Sequence, residues 1–221
     1  MIKTNNRVIL IFSDMFKSLI KMENLVFFNF RSLKQHLIRS HSYQGKKKMP
    51  IEGNYSDIFG LLGEQDLIWI FQEIYKGNDG INIIEIGAGE GQVTCYLGEA
   101  CLGTKKRVYT LLPYDSNSDD LQVWHQNIIR KALVPYVVPV LWEGFAGIQQ
   151  MPDKIHVVFL GNEIVDIEMW KNIKNVIFDR LTPVSLIISI KNNENARTLC
   201  LDSKMFQHGD VLYWWRTNSG K

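Results

Sequence analysis

The sequence predicts an α/β fold, with a doubly wound, mostly parallel sheet carrying helices on both faces. Three observations predict it. From about residue 63 to residue 190, short β-branched runs alternate with longer segments of helical periodicity. The first run, Ile81–Ile86, is short and bounded by turn residues, which favours a buried parallel strand. A glycine-rich loop follows this run directly, as in ligand-binding turns of such sheets.

The elements follow one another in a regular order. A helix is predicted after Gly63, and the turn Gly77–Gly80 separates it from the strand Ile81–Ile86. Further helices are predicted at Gln92–Cys101, Asp119–Leu133 and Ile164–Arg180, and further strands at Arg107–Leu112, Tyr136–Leu141, Ile155–Leu160 and Val184–Ile190. After these we expect a short helix at Asn195–Met205 and a last strand at Val211–Arg216, as an antiparallel edge strand.

The distribution of charge divides the 221 residues into two unlike pieces. Residues 1–50 hold ten Lys and Arg against two acids, whereas the remainder holds 15 against 21. This predicts a basic N-terminal extension, 1–48, and a folded domain, 49–221. With 46% hydrophobic and 22% charged residues, a disordered chain is excluded. Three cysteines exclude a disulfide scaffold and favour a reducing, cytoplasmic compartment.

The basic extension has several open interpretations. Apolar positions 9, 12, 16, 19 and 20 lie on one helical face, while charged residues interrupt any membrane span. The segment is an ancillary helical extension, a basic amphipathic anchor on an anionic membrane surface, or a lid over a substrate pocket. The run Lys46–Lys48 is too weak to predict nucleic-acid binding, so we expect no nucleic-acid partner.

The loop after the first strand is the most informative motif. It reads G-x-G-x-G over Gly87–Gly91, with Glu85 before it and Glu90 inside it. Glycines let the chain turn sharply and let a ligand approach the backbone. The spacing differs from the dinucleotide pattern G-x-G-x-x-G, and Glu90 would repel a pyrophosphate. The acids favour a cationic ligand such as S-adenosylmethionine; the alternative is a plain turn whose glycines serve packing.

These residues resemble the first motif of class I S-adenosylmethionine-dependent methyltransferases. Within that superfamily the chain is most similar to macrocin-O-methyltransferase-like enzymes, which act on sugars in antibiotic and surface-glycan pathways. The resemblance covers roughly Ile51–Ile190 and includes Ile58–Glu64, Val108–Tyr114, Val137–Val140 and Ile155–Phe159. It implies a Rossmann-like fold and S-adenosyl-L-methionine as the cofactor.

The resemblance also implies a cofactor site. The residues that match the methionine-cradling motif are Glu85, Gly87, Ala88, Gly89, Glu90 and Gly91. Where relatives offer the ribose an acid, at the end of the second strand, this chain has Leu112, and Asp115 is the nearest substitute. Trp142 and Glu143 fall where the adenine usually lies. The Trp142 ring either stacks on the base or packs a helix against the sheet.

The chain departs from this resemblance after the fourth strand. Relatives typically read I-D-G-D-H there, whereas this chain has Gly161 in place of the first acid and keeps one carboxylate, Glu163. A divalent metal prefers several oxygen ligands, so we expect a metal-independent reaction. Glu163 is the candidate catalytic base, or else a loop acid at a helix start. Lys191 is a candidate for binding an anionic substrate, or else a surface lysine.

Two functions of different classes remain open. The first is O-methylation of a small molecule or sugar by a cytoplasmic enzyme. The second is a catalytically degenerate, methyltransferase-like protein that acts by binding its cofactor or a partner. A nicotinamide-dependent reductase is disfavoured by the glycine spacing. The histidines are expected to be structural or exposed, and Tyr213–Trp215 forms either edge-strand packing or a sugar-stacking surface.

Overall fold

The structure is a computed structural model, and every residue that it describes lies in the predicted folded domain. The described residues are Tyr55, 57–113, 119–142, 145–161, 167–191, Arg197, Leu199, 204–210 and 212–216. All of them belong to the unit Met49–Lys221. The predicted extension, 1–48, lies outside the described residues, so its boundary and its interpretations stay predictions. Among the helices of the described part, none is long and apolar enough to cross a membrane.

Helices and strands alternate as the sequence predicts, with bounds that differ by a few residues. The helices are α1 (Glu64–Lys76), α2 (Gln92–Glu99), α3 (Asp119–Arg130), α4 (Phe145–Gln150) and α5 (Ile167–Arg180). The strands are β1 (Asn82–Ile86), β2 (Arg107–Pro113), β3 (Val137–Trp142), β4 (Ile155–Leu160), β5 (Leu181–Ile190), β6 (Met205–His208) and β7 (Leu212–Arg216). The short helix α4 was not predicted.

The seven strands form one sheet in the order β3-β2-β1-β4-β5-β7-β6. The first five strands in that order are parallel, whereas β7 runs antiparallel to β5 and β6 antiparallel to β7. The order reverses direction between β1 and β4, which is where ligands bind in such sheets. The predicted doubly wound, mostly parallel sheet is therefore confirmed.

The carboxyl-terminal hairpin corrects two predictions. β7 was expected at the edge of the sheet, but it lies between β5 and the edge strand β6. Met205, expected to end a helix, begins β6 instead. The turn between the two strands contains Gly209, whose φ of 58° lies in the left-handed region that glycine adopts without steric strain. This glycine beside Asp210 was the sequence signal for a hairpin.

Two hydrophobic cores lie on the two faces of the sheet. Successive residues of β1 point to opposite faces, so Ile83 packs in one core and Ile84 in the other. The first core buries apolar faces of α1, α2 and α3. The second buries α5 through Trp170, Ile173 and Ile177. Glu85 follows Ile83 by two residues and so points into the first core, among apolar side chains.

Candidate functional site

The glycine loop lies at the carboxyl end of β1, at the switch point of the sheet. Gly87, Gly89 and Gly91 have φ values of 80°, 51° and 93°. These left-handed conformations are costly for residues with a Cβ, so the loop requires its glycines. The Gly91 N–H donates to the Ala88 carbonyl at 2.9 Å, and Gly91 is the N-terminal cap of α2. The loop therefore turns the chain directly into a helix N-terminus.

Gly161 lies against this loop and explains one departure from the expected motif. The Gly161 N–H donates to the Ile86 carbonyl at 2.7 Å. A Cβ at Gly161 would lie 2.2 Å from the Gly87 carbonyl oxygen, which is far inside van der Waals contact. An acid at this position would displace the loop backbone. The close approach of β4 to the loop therefore requires glycine here.

A cavity of about 250 Å³ opens between the glycine loop and a covering segment, 57–62. The loop forms one wall through Gly87–Glu90, and the covering segment forms another through Phe59–Leu62. Phe159 and Ile190, at the ends of β4 and β5, complete an apolar lining. Phe59 is 72% exposed and Leu61 59% exposed, so apolar surface is open to solvent at this place.

Polar contacts hold the covering segment on α2 and α3. Tyr55, just before it, donates a hydrogen bond to Glu99 and packs its ring 4.9 Å from that of Tyr96. Asp57 forms ion pairs with Arg130 at 2.8 Å and with Lys131 at 3.1 Å. The hydrogen bond from Lys131 holds the pKa of Asp57 below its usual value.

The far end of the covering segment contacts α2. The Gln92 side-chain amide makes two long contacts of 3.4 Å with the backbone of Leu62. A Cβ at Gly60 would overlap the same amide, at 2.0 Å from Oε1. Gln92 follows the glycine loop by one residue. It thus connects the two walls of the cavity.

Glu85 lies behind the loop rather than in the cavity lining. It is fully buried, and its Oε2 accepts hydrogen bonds from the hydroxyls of Thr94 at 2.7 Å and Thr110 at 2.8 Å. Its Oε1 is buried with no hydrogen-bond partner among the described residues. Burial raises the pKa of Glu85 to about 7, against the two hydrogen bonds, which favour the charged form.

The helix α3 contacts both the loop and Thr94, one of the two hydroxyl donors to the acid. The Trp124 Nε1–H donates to Thr94 Oγ1 at 3.0 Å, and the Asn127 side-chain amide donates to the Glu90 carbonyl at 2.8 Å. Sequence reasoning missed these residues and also Thr94, Thr110 and Gln92. No motif marks them, because their roles come from contacts across the chain.

The remaining cofactor candidates lie at the ends of β2 and β3. Leu112 is buried in the first core and has no polar atom to offer a ribose. Pro113 pairs with Trp142 in the parallel register, so both strands end side by side. Asp115, Glu143 and the side chain of Trp142 lie outside the described residues. Their predicted contacts with a cofactor stay predictions.

The two catalytic candidates differ in what the structure describes of them. Glu163 lies outside the described residues. Lys191 is exposed, has a φ of 60° and follows Ile190 directly, which lines the cavity. Its position at the end of β5 places it at the carboxyl edge of the sheet. Within the described part of the chain, no cluster of three or more His, Cys, Asp or Glu could hold a metal ion.

Two histidines that the sequence left open have structural contacts. His156 accepts a hydrogen bond from the Asn82 N–H at 3.1 Å, at the amino end of the sheet. His208 stacks on Trp69 with ring centroids 4.7 Å apart. Trp214 packs between Phe206 and Trp69, at 4.4 and 6.0 Å. This aromatic cluster is built on β6, β7 and α1, which agrees with edge-strand packing.

Comparisons with known proteins show the fold of this chain. No family model matches the sequence, and no curated protein matches it. Among solved structures, cofactor-bound Rv0187 from MTB superposes with a TM-score of 0.55 at 14% identity, over 86% of this chain and 91% of that one. An O-methyltransferase from Bacillus cereus in complex with SAH gives 0.54 at 15% identity, over 85% and 91%.

A third similar structure is a precorrin-6y C5,15-methyltransferase from Geobacter metallireducens. It superposes with a TM-score of 0.53 at 17% identity, over 76% of this chain and 100% of that one. At such low identity the likeness speaks for the fold. Together with the strand order and the antiparallel β7, it shows that the chain has the Rossmann-like fold of the class I methyltransferases.

Proposed function

We propose that this protein is an S-adenosylmethionine-dependent methyltransferase that acts on a hydroxyl of a small molecule or sugar without a metal ion. One observation carries the proposal. A glycine loop with three left-handed glycines faces a cavity at the switch point, and a buried carboxylate lies behind it. The low-identity neighbours that are methyltransferases support the same activity.

The described residues fit this cofactor. A Cβ at Gly89 would meet no heavy atom within 4 Å, so the loop presents open space to a ligand. Among the described residues, Glu85 has a buried oxygen without a partner, and a carboxylate there attracts a cationic ligand through a medium of low dielectric constant. When bound, S-adenosylmethionine supplies a methyl group activated by a sulfonium ion. The backbone of Gly87–Glu90 would hold its methionine part.

The chain itself has to align the acceptor and exclude water. Methyl transfer is an in-line displacement, so orientation of the acceptor hydroxyl is the main requirement. Phe59, Phe159 and Ile190 offer apolar walls to a bound substrate, whose own surface would displace water from the cavity. Glu163 is proposed as the base that accepts the hydroxyl proton. Lys191, beside the cavity, is proposed to bind an anionic group of the substrate.

Two observations favour a second candidate, a catalytically degenerate protein that binds cofactor or a partner. Leu112 replaces the acid that would hold the ribose hydroxyls, and it is buried. Gly161 replaces another acid, and the backbone contact with Gly87 excludes any side chain there. Both changes lie at the carboxyl edge. They lower the number of polar groups available to ligand and substrate.

Calorimetric titration with S-adenosylmethionine and S-adenosylhomocysteine tests cofactor binding. Gly89→Trp fills the open space and is expected to abolish binding. Gly103→Trp is the matched control, since Gly103 also has a positive φ, 69°, and no heavy atom within 4 Å of a Cβ. It lies in the turn before β2, at the opposite edge of the sheet. Wild-type protein that binds neither compound contradicts the proposal.

Catalysis is tested separately from binding. Formation of S-adenosylhomocysteine is measured against a panel of hydroxylated small molecules and sugars, with EDTA or Mg²⁺ added. Turnover that EDTA leaves unchanged and Glu163→Gln reduces supports the metal-independent enzyme. Tight binding with no turnover on any acceptor supports the degenerate protein instead.

A further inference from the structure

We propose that Trp124 is a positioning residue: its indole N–H directs the Thr94 hydroxyl towards Glu85 and so favours the charged form of the acid behind the glycine loop. The use of that charge rests on the proposed function. The hydrogen-bond chain itself does not, since it is formed by the protein alone. Trp124 lies on α3, Thr94 on α2 and Glu85 on β1. The proposal therefore connects three elements.

The geometry is a directed chain of buried groups. The Trp124 Nε1–H donates to Thr94 Oγ1 at 3.0 Å, and Thr94 Oγ1 donates to Glu85 Oε2 at 2.7 Å. Trp124 is 2% exposed, and Thr94 and Glu85 are fully buried. No solvent reaches these groups to replace a lost partner. The direction of each hydrogen bond is therefore set by the protein.

The direction follows from the number of protons available. An indole nitrogen only donates, whereas a hydroxyl has one proton and can also accept. Because Thr94 accepts from Trp124, its own proton is directed to the carboxylate. A donor stabilises the charged form of Glu85. Without the indole N–H, the Thr94 hydroxyl is free to rotate and accept a hydrogen bond from the protonated carboxyl of Glu85, which favours the uncharged form.

α3 also fixes the loop that this charge serves. A Cβ at Gly91 would lie 2.9 Å from the Trp124 ring, so the indole packs directly on the end of the loop. Asn127, one turn further along, donates to the Glu90 carbonyl at 2.8 Å. One helix face thus contacts both the backbone of the loop and Thr94, the hydroxyl that donates to the acid behind the loop.

The effects of other groups near Glu85 must be distinguished from the titration of Glu85 itself. From α2, Cys95 lies near the acid, but burial raises its pKa to about 12, so it stays neutral. β2 contributes the hydroxyl of Thr110, and β4 pairs Phe159 beside Glu85. From α3, His125 follows Trp124, with ring centroids 6.3 Å apart. Histidines change charge between pH 5 and 8, so His125→Gln is the control.

The first experiment needs no ligand. The free energy of unfolding is measured from pH 5 to pH 9 for the wild type, Glu85→Gln and Trp124→Phe. Native Glu85 prefers to be protonated, so wild-type stability falls as pH rises and levels off above the native pKa of about 7. In Trp124→Phe the native pKa of Glu85 is expected to rise, so the fall in stability continues to a pH about one unit higher than in the wild type. Glu85→Gln lacks it.

Control variants distinguish the loss of the indole N–H from the loss of the volume of the indole ring. Trp170→Phe makes the same change in the second core, where Trp170 is 5% exposed, and is expected to leave the pH dependence unchanged. If Trp124→Phe does not fold, Thr94→Val replaces it and is expected to shift the curve upward, with Thr94→Ser restoring it. Curves of Trp124→Phe or Thr94→Val that coincide with wild type overturn the proposal.

The second experiment measures the consequence for binding. The affinity for S-adenosylhomocysteine is determined by calorimetry over the same pH range. Wild-type affinity is expected to rise with pH as Glu85 becomes charged, and this rise is displaced upward in Trp124→Phe but not in His125→Gln. Equal displacement in both variants overturns the proposal. A wild type that binds at no pH overturns the proposed function, while the unfolding curves still decide the role of Trp124.

Discussion

Lys106 and Glu85 are buried ionisable residues that lie towards opposite ends of the parallel strands, and their contacts differ. At the amino edge, Lys106 is 2% exposed and its Nζ donates to the carbonyls of Ile74 at 2.7 Å and Tyr75 at 2.9 Å. These carbonyls belong to the last turn of α1, where intrahelical donors run out, and that of Ile74 also accepts the Gly77 N–H at 3.1 Å. Towards the carboxyl edge, Glu85 is fully buried, and one of its oxygens has no hydrogen-bond partner in the described part of the chain.

The difference shows what each charge is for. The Lys106 ammonium satisfies two carbonyls and lies at the negative end of a helix dipole, so its contacts account for its burial. Glu85 is surrounded mainly by apolar side chains and is tolerated rather than required by the fold. A buried, incompletely satisfied carboxylate beside a ligand cavity is a mark of function. Lys106 thus stabilises the domain, whereas Glu85 is the group that the proposed cofactor site would use.

The largest expected effect comes from Gly161→Ala, at the carboxyl edge. The added methyl would lie 2.2 Å from the Gly87 carbonyl oxygen, and neither backbone can move without breaking the 2.7 Å hydrogen bond to Ile86. We expect a loss of about 4 kcal/mol in the free energy of unfolding, measured by urea denaturation. Gly63→Ala is the control, because its Cβ meets only Asp66, at 3.9 Å. Equal stability of both variants contradicts the close approach.

The next largest effect is that of Glu85→Gln, which has opposite signs for stability and binding. Burial raises the pKa of native Glu85 to about 7, so the native state retains a proton that the unfolded state loses near pH 4.5. Wild-type stability therefore falls by about 3 kcal/mol as pH rises from 4.5 to above 7, and that of Glu85→Gln does not. Its affinity for S-adenosylmethionine is expected to drop at least about tenfold.

A paired measurement of melting curves and calorimetry at pH 8 checks this prediction. Glu85→Gln is expected to be more stable than wild type there, while binding more weakly. A variant that loses both stability and affinity would make Glu85 a structural residue like Lys106. That result would remove the contrast between the two edges.

The features of the two sheet ends that could be predicted from the sequence are those that depend on local sequence patterns. β1 was predicted because its residues are β-branched and bounded by turns, and the glycine loop because its spacing is a motif. The edge strand β6 was missed, since its four residues are largely exposed and show no apolar alternation. Its pairing with β7 and its ring contacts with Trp69 and Trp214 stabilise it, and these contacts come from distant parts of the chain.

The contacts that shape the site are encoded across the chain and escaped prediction. Trp124 lies 30 residues from Thr94, and Gly60 lies 32 residues from Gln92. Nothing in the local sequence distinguishes Trp124 from a helix residue that merely packs on the sheet. From the sequence, Gly161 was interpreted as the loss of an acid, whereas the structure shows that its close contact with the Gly87 carbonyl requires glycine. Such facts depend on the distance between β4 and the loop, which periodicity does not encode.

At the amino edge, Lys106→Met is expected to cost about 2 kcal/mol of stability and to leave cofactor affinity unchanged. The methionine fills most of the space of the lysine stem but removes the ammonium donor from both carbonyls, of which that of Ile74 keeps the Gly77 N–H. Lys105→Met is the matched control, because the neighbouring side chain is exposed. Chemical denaturation gives the stability and calorimetry the affinity. A loss of affinity in Lys106→Met with native stability would contradict a purely structural amino edge.

The smallest expected effect is that of Asp57→Asn, which loosens the covering segment of the cavity. Its ion pairs with Arg130 and Lys131 are exposed to solvent and therefore screened by salt. The hydrogen bond from Lys131 lowers the pKa of Asp57, so the contribution of the pair is present above the unfolded pKa and is lost as pH falls through the native one. We expect cofactor affinity to fall by about threefold or less at low salt, and by nothing measurable at high salt. Calorimetry at two ionic strengths measures this, and a loss that is independent of salt would show that Asp57 acts on the cavity through packing rather than through charge.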